Sequence, residues 1–213
     1  MSALVEPWGA VTLQCALADL AAGVVEERYN DGPRIRVYLK RFGLTPPQNW
    51  CASAVAQWLW EAAGQLDREA PIAGSPGARA TMGQFMRAGL WVPWHELDDS
   101  VLVAGNVPVW WRVSPTDWRG HIGIIETMSS AGKMVTIEGN SGLRGDRVAR
   151  MIRDPADERL LGIGILTGEP VEPSEGRLEE AARLMKLGAE VMLGEPDDPL
   201  ADFQDRIGEE DDG

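Results

Sequence analysis

Asn49-Trp50-Cys51-Ala52-Ser53-Ala54-Val55-Ala56-Gln57-Trp58-Leu59-Trp60, entered through Pro46-Pro47, decides how this chain is read. Apolar residues follow a proline break at helical spacing, so the stretch predicts an amphipathic helix with Cys51 at its mouth. The first N–H groups of a helix have no intrahelical acceptor and carry partial positive charge, which favours a cysteine's thiolate form. Cys51 is therefore a candidate nucleophile. The plain alternative is a small buried hydrophobe on the first turn, and the choice between them is made downstream.

The chain has only two histidines, His95 and His121. His121 lies in Arg119-Gly120-His121-Ile122-Gly123-Ile124-Ile125-Glu126, which alternates like a strand entered through a glycine turn. A second strand, Met134-Val135-Thr136-Ile137-Glu138-Gly139-Asn140, follows the Ser129–Lys133 turn, so the two are expected to pair as a hairpin. Side chains alternate along a strand, which puts Thr136, Glu138 and Asn140 on one face. That face can orient a histidine on the neighbouring strand. Helix-cysteine, strand-histidine and next-strand Glu-x-Asn together supply a thiol, an imidazole to take its proton and an acid or amide to hold the imidazole.

These segments, from Tyr38 through Trp58 with Asn49-Trp50-Cys51-Ala52, then Gly120-His121-Ile122-Gly123-Ile124 and Thr136-Ile137-Glu138-Gly139-Asn140-Ser141-Gly142, resemble the CHAP family, the cysteine, histidine-dependent amidohydrolases/peptidases. The resemblance spans roughly residues 12 to 166. It implies a papain-like α+β fold and bacterial or phage peptidoglycan as substrate, cut within the stem peptide or cross-bridge (endopeptidase) or at the N-acetylmuramoyl–L-alanine bond (amidase). By the same resemblance Cys51 is the nucleophile, His121 the general base, Glu138 the orienting residue and Asn140 a fourth polar member. Some phage members bind calcium through an Asp-rich loop before the cysteine. Here that loop is Leu44-Thr45-Pro46-Pro47-Gln48-Asn49, without a carboxylate, so the resemblance implies no metal and no cofactor.

Around this centre, Gln48 and Asn49 are candidates for a second oxyanion donor beside the Cys51 backbone N–H. Trp50 and Trp118 are candidates for lining a substrate groove, because aromatic faces suit sugars and peptide planes. Trp58 and Trp110 are expected in the core. Cys15 sits in an Ala/Leu-rich stretch from Leu13 to Arg28 and reads as core; no disulfide is expected, since Cys51 must stay a free thiol to act.

With 213 residues and 44% hydrophobic content, the chain can bury one sizeable core. The expected organisation is a catalytic domain over 1–167, a helical extension over 168–195 and an acidic tail over 196–213 with the composition of a disordered chain. Helices are expected near 12–28, 33–42, 51–63 and 79–89, strands near 107–113, 121–128, 134–138, 147–153 and 161–166, and a tail helix from a Ser174 cap to about Leu193. Helices first and strands after make an α+β pattern, with N-terminal helices packed on an antiparallel sheet. For the tail helix, packing on the catalytic domain and docking to a partner such as a phage structural protein are both open.

Most of the net charge of −13 falls after residue 167 and the remainder is nearly neutral, a balance that argues against nucleic-acid binding, which wants a basic face. No stretch is long enough to span a membrane. Met1–Pro7 lacks the basic and apolar regions of a signal peptide, so the expectation is cytoplasmic synthesis and action at a cell wall, as an endolysin, a virion-associated lysin or a secreted antibacterial effector. The competing class is a non-catalytic papain-like module of a phage tail or secretion assembly. A retired site would have no reason to retain the full set of polar residues. Acyl transfer on the same constellation is a third reading.

Overall fold

The computed structural model describes residues 8–167 and 175–192. The acidic tail and the Ser174 cap lie outside the described residues. Four helices come first: α1 (Trp8–Ala21), α2 (Pro33–Lys40), α3 (Cys51–Leu66) and α4 (Ala78–Arg87). Seven strands follow: β1 (Trp91–Pro93), β2 (Val107–Trp111), β3 (Gly120–Ile122), β4 (Ile124–Met128), β5 (Met134–Ser141), β6 (Arg147–Arg153) and β7 (Leu160–Gly164), and then α5 (Glu175–Met192). The class is α+β, as the segregation of helices from strands predicts.

The sheet is not single. One antiparallel sheet has the order β1-β7-β2-β3 and a second the order β4-β5-β6. The segment read as one strand over 121–128 changes sheets at Gly123: Trp110 pairs with His121 on one side of it, and Ile124 pairs with Ile137 on the other. Gly123 allows the change because a Cβ there would stand 2.6 Å from Glu138 Cγ and 3.1 Å from the Ile137 carbonyl oxygen. Alternation alone cannot reveal such a corner, since Ile122 and Ile124 keep the period of two across it. The strand Trp91–Pro93 is also absent from the sequence reading, being too short to show a period.

The first helix differs in extent as well. It starts at Trp8 and ends at Ala21, and Gly23 follows in the left-handed region with φ 65°. The residues after it, read as helical to Arg28, instead run along β6: Val148 N–H donates to the Val24 carbonyl at 3.0 Å and Glu26 N–H to the Asp146 carbonyl at 2.8 Å. The β-branched pair Val24-Val25 favours this extended path.

Helices α1 to α3 are tied by one carboxylate. Asp19 on α1 accepts from Arg34 Nε at 2.9 Å, Tyr38 Oη at 2.7 Å and Trp58 Nε1 at 2.7 Å. Asp19, Tyr38 and Trp58 are buried, so these bonds are worth more than their surface equivalents and fix the rotation of α3 about its axis. Trp58 and Trp110 are core residues, as expected. The α5 helix packs on α4, with Ala181 and Leu184 buried and Gly83 of α4 close against them.

Candidate functional site

The start of α3 has no side-chain cap: its N-cap residue is Trp50, whose indole turns inward. The helix therefore begins with N–H groups that no side chain caps, and that of Ala52 helps to lower the pKa of the Cys51 thiol. Asp19 and the Trp50 anchor together place this helix end. Trp50 is completely buried, stacks on Tyr38 at 5.7 Å and donates from Nε1 to Glu26 Oε1 at 3.0 Å. It is therefore part of the core, not of a groove lining as the sequence suggested, because Tyr38 and Glu26 offer its ring and its N–H a complete buried environment.

His121 faces this helix end from β3. Its Nε2 lies 2.7 Å from Glu138 Oε2. A carboxylate only accepts, so Nε2 carries the proton and Nδ1 is left for the thiol. The Cys51 thiol lies near enough to the imidazole for each to shift the other's pKa, and Arg112 Nη2 stands 3.3 Å from Nδ1. Thiol, imidazole and carboxylate are thus brought together from α3, β3 and β5.

Glu138 is fully buried yet richly bonded. Thr136 Oγ1 donates to Oε1 at 2.6 Å and Ser141 Oγ to Oε2 at 3.0 Å. Arg153 on β6 adds a two-pronged pair, Nε to Oε1 at 2.9 Å and Nη2 to Oε2 at 2.7 Å. Burial alone would raise this carboxyl's pKa, but His121 and Arg153 outweigh it and hold the acid well below the usual carboxylate range. Burial likewise disfavours the imidazolium, yet Glu138 and then Cys51 raise His121 above its ordinary value. For Cys51, burial is the largest influence and works against the thiolate; His121, Arg112 and the Ala52 N–H overcome it and lower the thiol's pKa. The three shifts run in the same sense, each favouring the charged form of its group.

Asn140 does not reach the imidazole. The ladder between β5 and β6 is irregular between Glu138 and Ser141, and Asn140 sits in the left-handed region at φ 54°. The irregularity hands the place beside Glu138 to Ser141 and turns Asn140 toward the loop before α3, where its Nδ2 donates to Asn49 Oδ1 at 3.1 Å. Asn30, also left-handed at φ 48°, approaches the same oxygen at 3.5 Å. Asn49 is half-buried two residues before Cys51, and with its oxygen turned to these two amides its own amide nitrogen remains as a donor. Gln48 is half-buried in the same loop. Trp118 is half-buried in the β2–β3 connection, 5.9 Å beneath the Arg119 guanidinium.

Sequence reading missed Arg112, Arg153, Ser141 and Asn30. Arg153 was hidden by its spacing: Arg147, Arg150 and Arg153 recur every third residue in a strand whose side chains alternate every second, so no face could be assigned to them. Among the described residues no group of three or more His, Cys, Asp or Glu is placed to hold a metal ion, and no helix is long and apolar enough to cross a membrane. Compared with family models, curated proteins and solved structures, the chain matches none.

Proposed function

We propose that this protein is a cysteine amidohydrolase of the CHAP type, with a papain-like catalytic arrangement, that cuts an amide bond in peptidoglycan. The observation that carries the reading is the meeting, at the uncapped end of α3, of Cys51 with His121, whose Nε2 is bonded to the buried Glu138. The substrate class rests on the sequence resemblance, and the chemistry rests on the geometry.

In this mechanism the Cys51 thiolate attacks the amide carbonyl carbon. The oxygen of the tetrahedral intermediate takes hydrogen bonds from the Cys51 backbone N–H and the Asn49 side-chain amide, which Asn140 and Asn30 hold in orientation. Collapse of the intermediate breaks the C–N bond as His121 Nδ1–H protonates the departing amine. The neutral imidazole then takes a proton from water, the resulting hydroxide attacks the thioester, and the acyl group leaves as a carboxylic acid while Cys51 regains its thiolate. Glu138 stays ionised throughout, keeping Nε2 protonated and stabilising the imidazolium.

The direct test is mass spectrometry of fragments released from purified peptidoglycan. The expected result is soluble pieces carrying one new amine and one new carboxyl terminus, with none released by Cys51→Ala. Which fragments appear distinguishes amidase from endopeptidase, and intact peptidoglycan after prolonged incubation with the folded protein would refute the proposal.

A further inference from the structure

Nearly every bond that Glu138 can accept is already made, and one donor stands apart from the rest. Thr136 and Ser141 are neutral, but Arg153 is a second cation on the same carboxylate as His121. Arg153 Nη2 and His121 Nε2 each lie 2.7 Å from the same oxygen, Oε2, so two positive groups sit within two hydrogen-bond lengths of each other. The guanidinium is held there by more than its charge partner, since it also lies 5.4 Å over the Trp110 ring, and that ring in turn is 6.1 Å from the imidazole. Its side chain is largely buried, and the carboxylate beneath it is wholly so.

A buried carboxylate with a histidine as its only cation would do two things to that histidine. It would orient the ring, which catalysis needs, and it would hold the imidazolium proton strongly, which opposes delivery to the leaving amine. We propose that Arg153 is a positioning residue of this site: by taking two bonds of Glu138 it divides the carboxylate's charge between guanidinium and imidazole, so that His121 is fixed in place without being locked in its charged form. This deepens the proposed mechanism and rests on the Cys51–His121 reading for its catalytic meaning. The electrostatic relation itself depends only on the geometry.

The groups acting on His121 come from every side of it. Cys51 faces it from α3, Arg112 from just after β2 and Glu138 from β5, with Arg153 of β6 behind the carboxylate. Of the charged groups among these, Arg153 acts on the imidazole through the oxygen the two share, and Ser141, on the same oxygen, is neutral. Removing Arg153 takes away a neighbouring like charge and leaves Glu138 undivided, so both effects push the imidazolium the same way, toward a more tightly held proton.

The chain has two histidines, and the other, His95, is exposed on a 3-10 turn beside Glu96, which makes an internal reference. The experiment is an NMR pH titration of histidine-labelled full-length protein, comparing the wild type with Arg153→Met and Arg153→Lys. In Arg153→Met the His121 midpoint is expected to rise by about half a pH unit or more while that of His95 stays put. Arg153→Lys, which keeps the charge but not the two-pronged bond, is expected to fall between. On peptidoglycan fragments kcat should fall with KM little changed. A His121 midpoint that falls or does not move would overturn the proposal, because it would mean that Arg153 only keeps Glu138 ionised or only supports the fold. Should Arg153→Met fail to fold by near-ultraviolet circular dichroism, the direction of the shift in Arg153→Lys decides. The titration needs no substrate, so a protein inactive on peptidoglycan that shows the shift would count against the assigned function and leave the role of Arg153 standing.

Discussion

The two cysteines are almost equally buried, at 5% and 6% exposure, yet their surroundings push their chemistry in opposite directions. Cys15 lies in mid-helix, where burial and then the charges of Glu61 and Asp19 raise its thiol's pKa. Cys51 lies on the first turn of α3, where His121, Arg112 and a backbone N–H overcome burial and lower it. The lesson is that burial does not set the reactivity of a thiol. The signs of the nearest charges and the direction of the nearest helix end do.

The strongest way to break this contrast is to remove each sulfur in turn. Cys51→Ala should reduce release of peptidoglycan fragments by about 10⁴-fold or more, because the nucleophile has no substitute. Cys15→Ala should leave turnover unchanged. Equal losses in fragment assays of the two purified variants would show that the helix end confers nothing.

A sharper version removes the charge that supports Cys51 indirectly. Glu138→Gln keeps the shape of the side chain but frees His121 to adopt the wrong tautomer, and should cost on the order of 10³-fold in kcat with little change in KM. Asn140→Ala should cost less, since Asn140 touches Asn49 and not the imidazole. Steady-state kinetics on one defined fragment would give the order, and the reverse order would make the amide, not the acid, the partner that matters.

The Asn49 amide is the next step down. Asn49→Ala should lower kcat by about 10²-fold, as removal of an oxyanion donor does, while the rate at which iodoacetamide alkylates Cys51 stays near wild type. A parallel loss of alkylation would mean that Asn49 holds the helix end in place and not the oxyanion.

Smaller again is the difference in reactivity without substrate. Thiolate is the species that alkylates, so a thiol with a lowered pKa keeps reacting as pH falls, and one with a raised pKa stops at higher pH. At neutral pH, Cys51 in the native protein should therefore alkylate on the order of ten times faster than Cys15, with the gap closing under denaturant. Peptide mapping by mass spectrometry reads both sites in one sample. The smallest effect is that of Cys15→Ala on stability, about 1 kcal/mol for the loss of a buried sulfur, measured by urea unfolding.

How much of this was legible in the sequence divides along physical lines. The helix at Cys51, the strand at His121 and the acid at Glu138 were readable because each follows from a local period or a proline break. The place of Asn140 was not, because alternation assumes a regular ladder and the ladder slips between Glu138 and Ser141. Nor was that of Trp50, which the sequence placed beside the nucleophile; its neighbours Tyr38 and Glu26 come from distant segments, and only their convergence makes a buried slot for the indole. For the tail helix the sequence leaves packing and docking open, because the match between Gly83 and the small and apolar residues of α5 exists only between two helices far apart in the chain.

The corner at Gly123, where one strand leaves the first sheet and joins the second, has a consequence for the order of synthesis. Cys51 is made early, His121 much later, and Arg153 later still, on a strand that pairs only with the far sheet. A chain still growing on the ribosome can form α1 to α3 with the nucleophile in place, but imidazole, acid and guanidinium follow one after another on β3, β5 and β6. Chemical competence therefore arrives late, and a truncated product ending before β3 carries the nucleophile without the means to fire it.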